Sequence, residues 1–173
     1  MSPDIDLARL SLRDTLDLAG FIEEEARQRY LELVEQIGSH HSREAADFFT
    51  MMASSEETHA DRLRERRREM FGDSAPSVDR SLAFEIEGPD YHRVRAFMTV
   101  HDALEAALDS ERKAYRFYEQ ALQRAEDPDV RRLFEELQEQ EVQHEQQILD
   151  FRSGLPPEDD ADPDDYVDEP QPM

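Results

Sequence analysis

Cysteine is absent from the chain, and with it go disulfides, thiolate zinc sites, iron–sulfur clusters and any four-cysteine iron centre. Electrons, where the chemistry needs them, come from another molecule. Long apolar runs are missing too: none approaches the ~20 residues of a membrane-spanning helix, and the opening MSPDIDLARLSLRD lacks the basic and apolar regions of a signal peptide. The expected setting is the cytoplasm, without membrane insertion. Lysine occurs once, at Lys113, and positive charge is scarce overall: 20 Lys and Arg face 43 Asp and Glu, for a formal net charge of −23. Such a field repels nucleic-acid phosphates and anionic lipid headgroups and favours cations as guests. Clusters of Val, Ile and Thr are also few, which leaves little from which to build a sheet.

What remains is rich in Glu, Arg, Leu, Ala and Gln, all good helix formers, so an all-α fold is expected. At 173 residues the length suits one domain with a sizeable core. Apolar periodicity predicts four helices, roughly 13–38, 42–71, 92–125 and 128–152. Gly38-Ser39 ends the first, Gly72 closes the second, and Asp127-Pro128 opens the fourth with a cap and a first-turn proline. Short links imply antiparallel neighbours. The stretch from Gly72 to Tyr91, with Pro76, Gly88 and Pro89, is long enough to cross the whole bundle, which gives an antiparallel four-helix bundle of two hairpins joined by a crossover.

Residues 1–152 are therefore taken as the bundle and residues 153–173 as a tail. That tail holds eight Asp or Glu, five of the nine prolines and no Lys or Arg. Its composition predicts disorder, with solubilisation as its simplest role. The run Arg62, Arg64, Arg66, Arg67 and Arg68, interleaved with Glu65 and Glu69, is expected to be a solvated face with cations near a helix C-terminus.

The chemistry lies in the apolar stripes. They run Leu16, Ala19, Glu23, Ala26, Tyr30, Leu33, Ile37, then Ala45, Phe49, Met52, Glu56, His59, Leu63. The third is Leu104, Leu108, Glu111, Tyr115, Tyr118, Leu122, and the fourth Val130, Phe134, Leu137, Glu141, His144, Ile148, Phe151. One Glu interrupts each. Spacings of three, four and seven keep these residues on the buried face of a helix, so four carboxylates point inward. A carboxylate in an apolar core costs several kcal/mol unless it is paired or metal-bound, and no Lys or Arg falls near these positions on the stripes. Two divalent cations would neutralise the four carboxylates.

A Glu from each of two helices plus a Glu-x-x-His pair from each of the other two is the donor set of di-iron and di-manganese carboxylate bundles. Glu23 and Glu111 are the single carboxylates; Glu56 with His59, and Glu141 with His144, are the pairs. Hard oxygens with one nitrogen per metal favour iron or manganese over copper. The halves also repeat, since Tyr30 follows Glu23 by seven residues as Tyr118 follows Glu111. A phenol so placed can hydrogen-bond a ligating carboxylate. Glu24, Glu25, Glu57 and Glu145 flank the ligand positions with phases that turn them outward, and His40, His41, His92 and His101 lack such company.

Through Glu23-x6-Tyr30, Glu56-x-x-His59, Glu111-x6-Tyr118 and Glu141-x-x-His144, residues 15–152 resemble a rubrerythrin-type member of the ferritin-like superfamily. Arg66 to Phe71 with Gly72-Asp73, and Phe117-Tyr118-Glu119 to Arg132-Leu133, look most like the ferritin-like domain that some bacteria fuse to a vacuolar-iron-transporter-type membrane domain. The resemblance implies a homodimer, two iron ions, and oxidation of Fe(II) by dioxygen or peroxide, as a ferroxidase or a peroxide-reducing enzyme, with an external electron donor where one is needed. Glu56 and Glu141 would bridge the metals, Glu23 and Glu111 would be terminal, and each His would take one metal. Two departures narrow this. The rubredoxin domain of rubrerythrins proper is absent, and Ala114 stands where they usually carry an extra Glu. A di-manganese, peroxide-disproportionating enzyme and a non-enzymatic iron-binding or delivery module are the alternatives.

Overall fold

The computed structural model describes residues 10–38, 42–83 and 99–156. Four long helices carry the fold: α1 (Leu12–Gly38), α2 (Arg43–Phe71), α3 (Val100–Leu122) and α4 (Pro128–Gly154). Among the described residues there is no strand, and the all-α bundle read from the sequence is the fold observed.

Side chains set the helix starts by satisfying amide groups that have no partner within the helix. Ser11 and Asp14 exchange two bonds at the head of α1, Ser11 N–H to Asp14 Oδ2 at 3.0 Å and Asp14 N–H to Ser11 Oγ at 3.2 Å. Ser42 Oγ accepts from Ala45 N–H at 3.2 Å. Asp127 accepts from Asp129 and Val130 N–H, both at 3.0 Å, with Pro128 as the first helical residue of α4. Gly72 closes α2 at φ 70°, a backbone region that a side chain would strain, and its N–H returns to Arg68 O at 2.8 Å.

The third helix departs from the expected 92–125. Thr99 is extended and forms a reciprocal capping box with Asp102, so α3 starts at Val100; residues 92–98 lie outside the described residues. At its other end Arg124 and Ala125 N–H both turn back to Ala121 O, and Arg131 donates to Leu122 O at 2.9 Å, ending α3 before the Asp127 cap. The turn at 39–41, most of the crossover and the tail beyond residue 156 are likewise outside the described residues. α4 continues to Gly154, and Leu155 still packs on the core.

Two apolar clusters fill the bundle, one at each end. The first joins Leu16, Leu18, Ala19 and Ile22 of α1 to Leu63 of α2, Phe117 and Tyr118 of α3, and Val130, Phe134 and Leu137 of α4. The second joins Tyr30, Leu33 and Ile37 to Ala45, Phe49 and Met52, to Leu104 and Leu108, and to Ile148. This pairing makes α1 and α2 antiparallel, and likewise α3 and α4. It also places the end of α2 and the start of α3 at opposite ends of the bundle. Ala83 is still seated in the first cluster.

The arginine-rich end of α2 is only partly the solvated face expected. Arg62, Arg64, Arg66 and Arg68 do lie on a charged surface, paired with Glu136, Glu24, Asp129 and Asp73 respectively. Arg67 turns inward instead. It is buried, its Nε meets buried Asp17 at 2.7 Å, and its Nη1 donates to Gly72 O at 2.7 Å. One guanidinium thus ties α1, α2 and the loop after α2 together.

Candidate metal centre

Between the two apolar clusters lies a polar layer. Glu23 comes from α1, Glu56 and His59 from α2, Glu111 from α3, and Glu141 and His144 from α4; none is more than 4 % exposed. All six residues singled out in the sequence meet here. Glu57 is exposed beside Arg27, Glu24 and Glu25 pair with Arg80, and Glu145 pairs with Arg112, so the flanking carboxylates turn outward as expected. His101 is not part of the layer, and His40, His41 and His92 lie outside the described residues.

The six fall into two overlapping groups. Ligand atoms of Glu23, Glu56, His59 and Glu141 lie within 4.8 Å of one another, as do those of Glu56, Glu111 and His144. Glu56 belongs to both. His59 Nδ1 is 3.2 Å from Glu23 Oε2 and 3.1 Å from Glu56 Oε2. His144 Nδ1 is 3.0 Å from Glu111 Oε2 and 3.1 Å from Glu56 Oε1. The two imidazoles stack with centroids 5.3 Å apart.

The electrostatics show how crowded this layer is. Burial raises the Glu23 carboxyl to about 7 against the pull of His59. Burial, reinforced by the neighbouring carboxylates of Glu23, Glu111 and Glu56, pushes Glu141 well above its ordinary range. Glu56 goes the other way: burial would raise it, but hydrogen bonds from His144 and His59 win and hold it at about 2. Burial would lower both imidazoles, yet their carboxylate partners raise His59 to about 9 and His144 to about 11. Protons on the histidines therefore supply positive charge that a cation would otherwise bring.

Two oxygens test whether a metal fits. Among the described residues Glu141 Oε1 is buried without a hydrogen bond, and Glu56 Oε1 is buried with the His144 Nδ1 contact at 3.1 Å as its sole partner. A buried carboxylate oxygen without a hydrogen bond is costly, and Glu141 belongs to the first of the two groups. With four carboxylates, two imidazoles and no thiolate, the donors suit hard or borderline divalent ions.

The tyrosines act crosswise. Tyr30 OH on α1 donates to Glu111 on α3, and Tyr118 OH on α3 donates to Glu23 on α1. Burial, then the carboxylate each one faces, raises both phenols well above their ordinary range, so they stay donors. Ala114 is buried in the first apolar cluster and offers no seventh ligand. Sequence reasoning missed Ser55, whose Oγ is 2.9 Å from His144 Nε2, and Ser110, which accepts from Arg29. Their only signal was a place next to a Glu that interrupts an apolar stripe.

No curated protein matches the chain. Among solved structures, an uncharacterised conserved protein from Magnetospirillum magnetotacticum MS-1 is 26 % identical, with a TM-score of 0.73 over 87 % of this chain and 99 % of that one. A hypothetical protein from Pyrococcus furiosus, 20 % identical, shares the fold with a TM-score of 0.64 over 86 % and 92 % of the two chains. No described helix is long and apolar enough to cross a membrane. The family model for rubrerythrin matches residues 14–151, nearly all of the bundle and every residue of the polar layer, and the chain therefore belongs to the rubrerythrin family, whose di-iron carboxylate centre these acidic and histidine clusters are able to house.

Proposed function

We propose that the chain is an iron-oxidising protein in which Glu23, Glu56, His59, Glu111, Glu141 and His144 hold two ferrous ions. The observation that carries this reading is the sharing of Glu56 between two carboxylate–histidine groups in a buried layer where, among the described residues, a Glu141 oxygen has no hydrogen bond. Bound there, the two ions supply one electron each to dioxygen or peroxide. The protein's own part is binding and orientation. Glu56 presents one oxygen toward each histidine and is the natural bridge. Glu141 lies with the His59 group and would be the second residue shared between the ions, while Glu23 and Glu111 would each hold one.

Each histidine turns Nδ1 inward and gives up the proton there when a metal takes its place. Tyr118 and Tyr30 hold Glu23 and Glu111 in orientation from the opposite helix. The apolar clusters above and below exclude water.

With no cysteine in the chain, reduction of the oxidised centre draws on an external donor. Within the family, iron handling of the kind served by transporter-fused ferritin-like domains fits better than a self-sufficient peroxidase. Homodimer formation and a cytoplasmic setting belong to the same reading. The test is anaerobic loading with Fe(II), then air, with near-ultraviolet ferric absorbance followed over time. The expected result is a fast rise in the wild type and none in Glu56→Ala with Glu141→Ala. An equal rise in that variant would reject the ligand assignment. Loading without fast oxidation would favour a delivery module, and manganese alone in protein purified without added metal would favour peroxide disproportionation.

A further inference from the structure

The centre is built from two halves that repeat in sequence, but they are not held alike. Ser55 precedes Glu56 on α2 as Gln140 precedes Glu141 on α4. Ser55 Oγ lies 2.9 Å from Nε2 of His144, the ring nitrogen that faces away from the carboxylates. The matching contact would run from Gln140 to Nε2 of His59. It is not made: the Gln140 amide bonds instead to Gln143 on its own helix, at 3.4 Å. Among the described residues His59 bonds through Nδ1 alone, to Glu23 and Glu56.

We infer that Ser55 is a positioning residue for His144, and that it makes the two metal half-sites unequal. This rests on the reading of the six residues as metal ligands. An imidazole ligates through one nitrogen only when the other carries the proton, and a hydrogen bond to the outer nitrogen selects that tautomer and fixes the ring plane. Ser55 Oγ is placed to accept from Nε2–H, so that loss of the Nδ1 proton to an incoming metal leaves the Nδ1 lone pair aimed between Glu56 and Glu111. His144 is thus pinned from outside as well as inside, while His59 is oriented only by the carboxylates it shares with the metal. Glu141 lies with the Glu23 and His59 group rather than with Glu111 and His144, so the His144 half depends more on this alignment.

The experiment is a titration of the chelator-treated full chain with Zn(II), a redox-inert ion that takes oxygen and nitrogen ligands, comparing wild type, Ser55→Ala, Ser55→Thr and Gln140→Ala. Calorimetry and native mass spectrometry report both binding steps, and nitrogen-15 spectra of the zinc-loaded protein report the His144 ring. Two zinc ions are expected in the wild type. Ser55→Ala should weaken one step about tenfold or more and leave the other in place, Ser55→Thr should restore it, and Gln140→Ala should change neither. The slowly exchanging Nε2–H of His144 should be present in wild type and lost in Ser55→Ala. Identical isotherms for wild type and Ser55→Ala, or equal weakening of both steps, would overturn the inference while leaving the ligand reading intact. A wild-type chain that takes up no zinc would overturn the ligand reading itself.

Discussion

Each residue of the polar layer has its own expected signature. Glu56 touches both histidines, so Glu56→Ala should abolish uptake of both metal ions, whereas Glu23→Ala should spare the ion beside Glu111 and His144. Metal content per chain by mass spectrometry separates the two outcomes. Metal uptake should also depend on pH with a definite sign. His59 and His144 are raised to about 9 and about 11, so at neutral pH both carry the proton that a metal must displace. Affinity should therefore rise and proton release should accompany binding as pH climbs from about 6 to about 8, which calorimetry in buffers of different ionisation enthalpy would record. For chelator-treated protein the sign reverses. A raised histidine pKa contributes stability fully present below its ordinary value of 6.5 and lost as pH rises through 9 and then 11. Glu23, raised from 4.5 to about 7, costs stability as it ionises between those values.

The residues of the polar layer were legible because a Glu interrupting an apolar stripe stands out against 3.6-residue periodicity. Ser55 was not, since its partner His144 is 89 residues away on another helix and a serine mid-helix carries no periodic signal. The tyrosines lay between these cases. Their spacing marked them as partners of carboxylates, but only the packing shows that each reaches the opposite helix.

Helix ends carry most of what the elements add. Asp127→Ala removes two amide acceptor bonds at the head of α4 and should cost about 1 kcal/mol. Thr99→Ala should cost a similar amount at α3 through its half of the capping box. Denaturant midpoints with unchanged slopes would record both. Asp127-Pro128 and Gly72 were readable because proline and glycine act locally. Thr99 was passed over because the apolar pattern runs on across it, and a capping box is a pair of side chains rather than a period. Arg67 was misjudged for the same kind of reason: within a run of arginines, phase alone did not show that Asp17 of α1 waits opposite to receive one of them.

At the scale of the whole molecule, a charge of −23 surrounds a core that contains four more buried carboxylates than an apolar bundle would tolerate. Stability should accordingly respond to cations in two ways. Screening by salt relieves the surface modestly. Specific binding to the centre does more: ions that bind only the folded chain stabilise by about 2.7 kcal/mol at a hundredfold excess over Kd, about 5–10 °C in melting temperature for a domain of this size. The rise should persist at high salt and vanish in Glu56→Ala. Two apolar clusters with a polar layer between them predict that this gain is transmitted to all four helices at once, since each contributes a residue to the layer.

The most direct measurement of the central claim is native mass spectrometry of the chain loaded anaerobically with Fe(II). Two irons per chain in the wild type, and none in Glu56→Ala with Glu141→Ala at unchanged helical content, is the expected result. A wild-type chain without specifically bound metal, or a double variant that still holds two irons, would contradict the account.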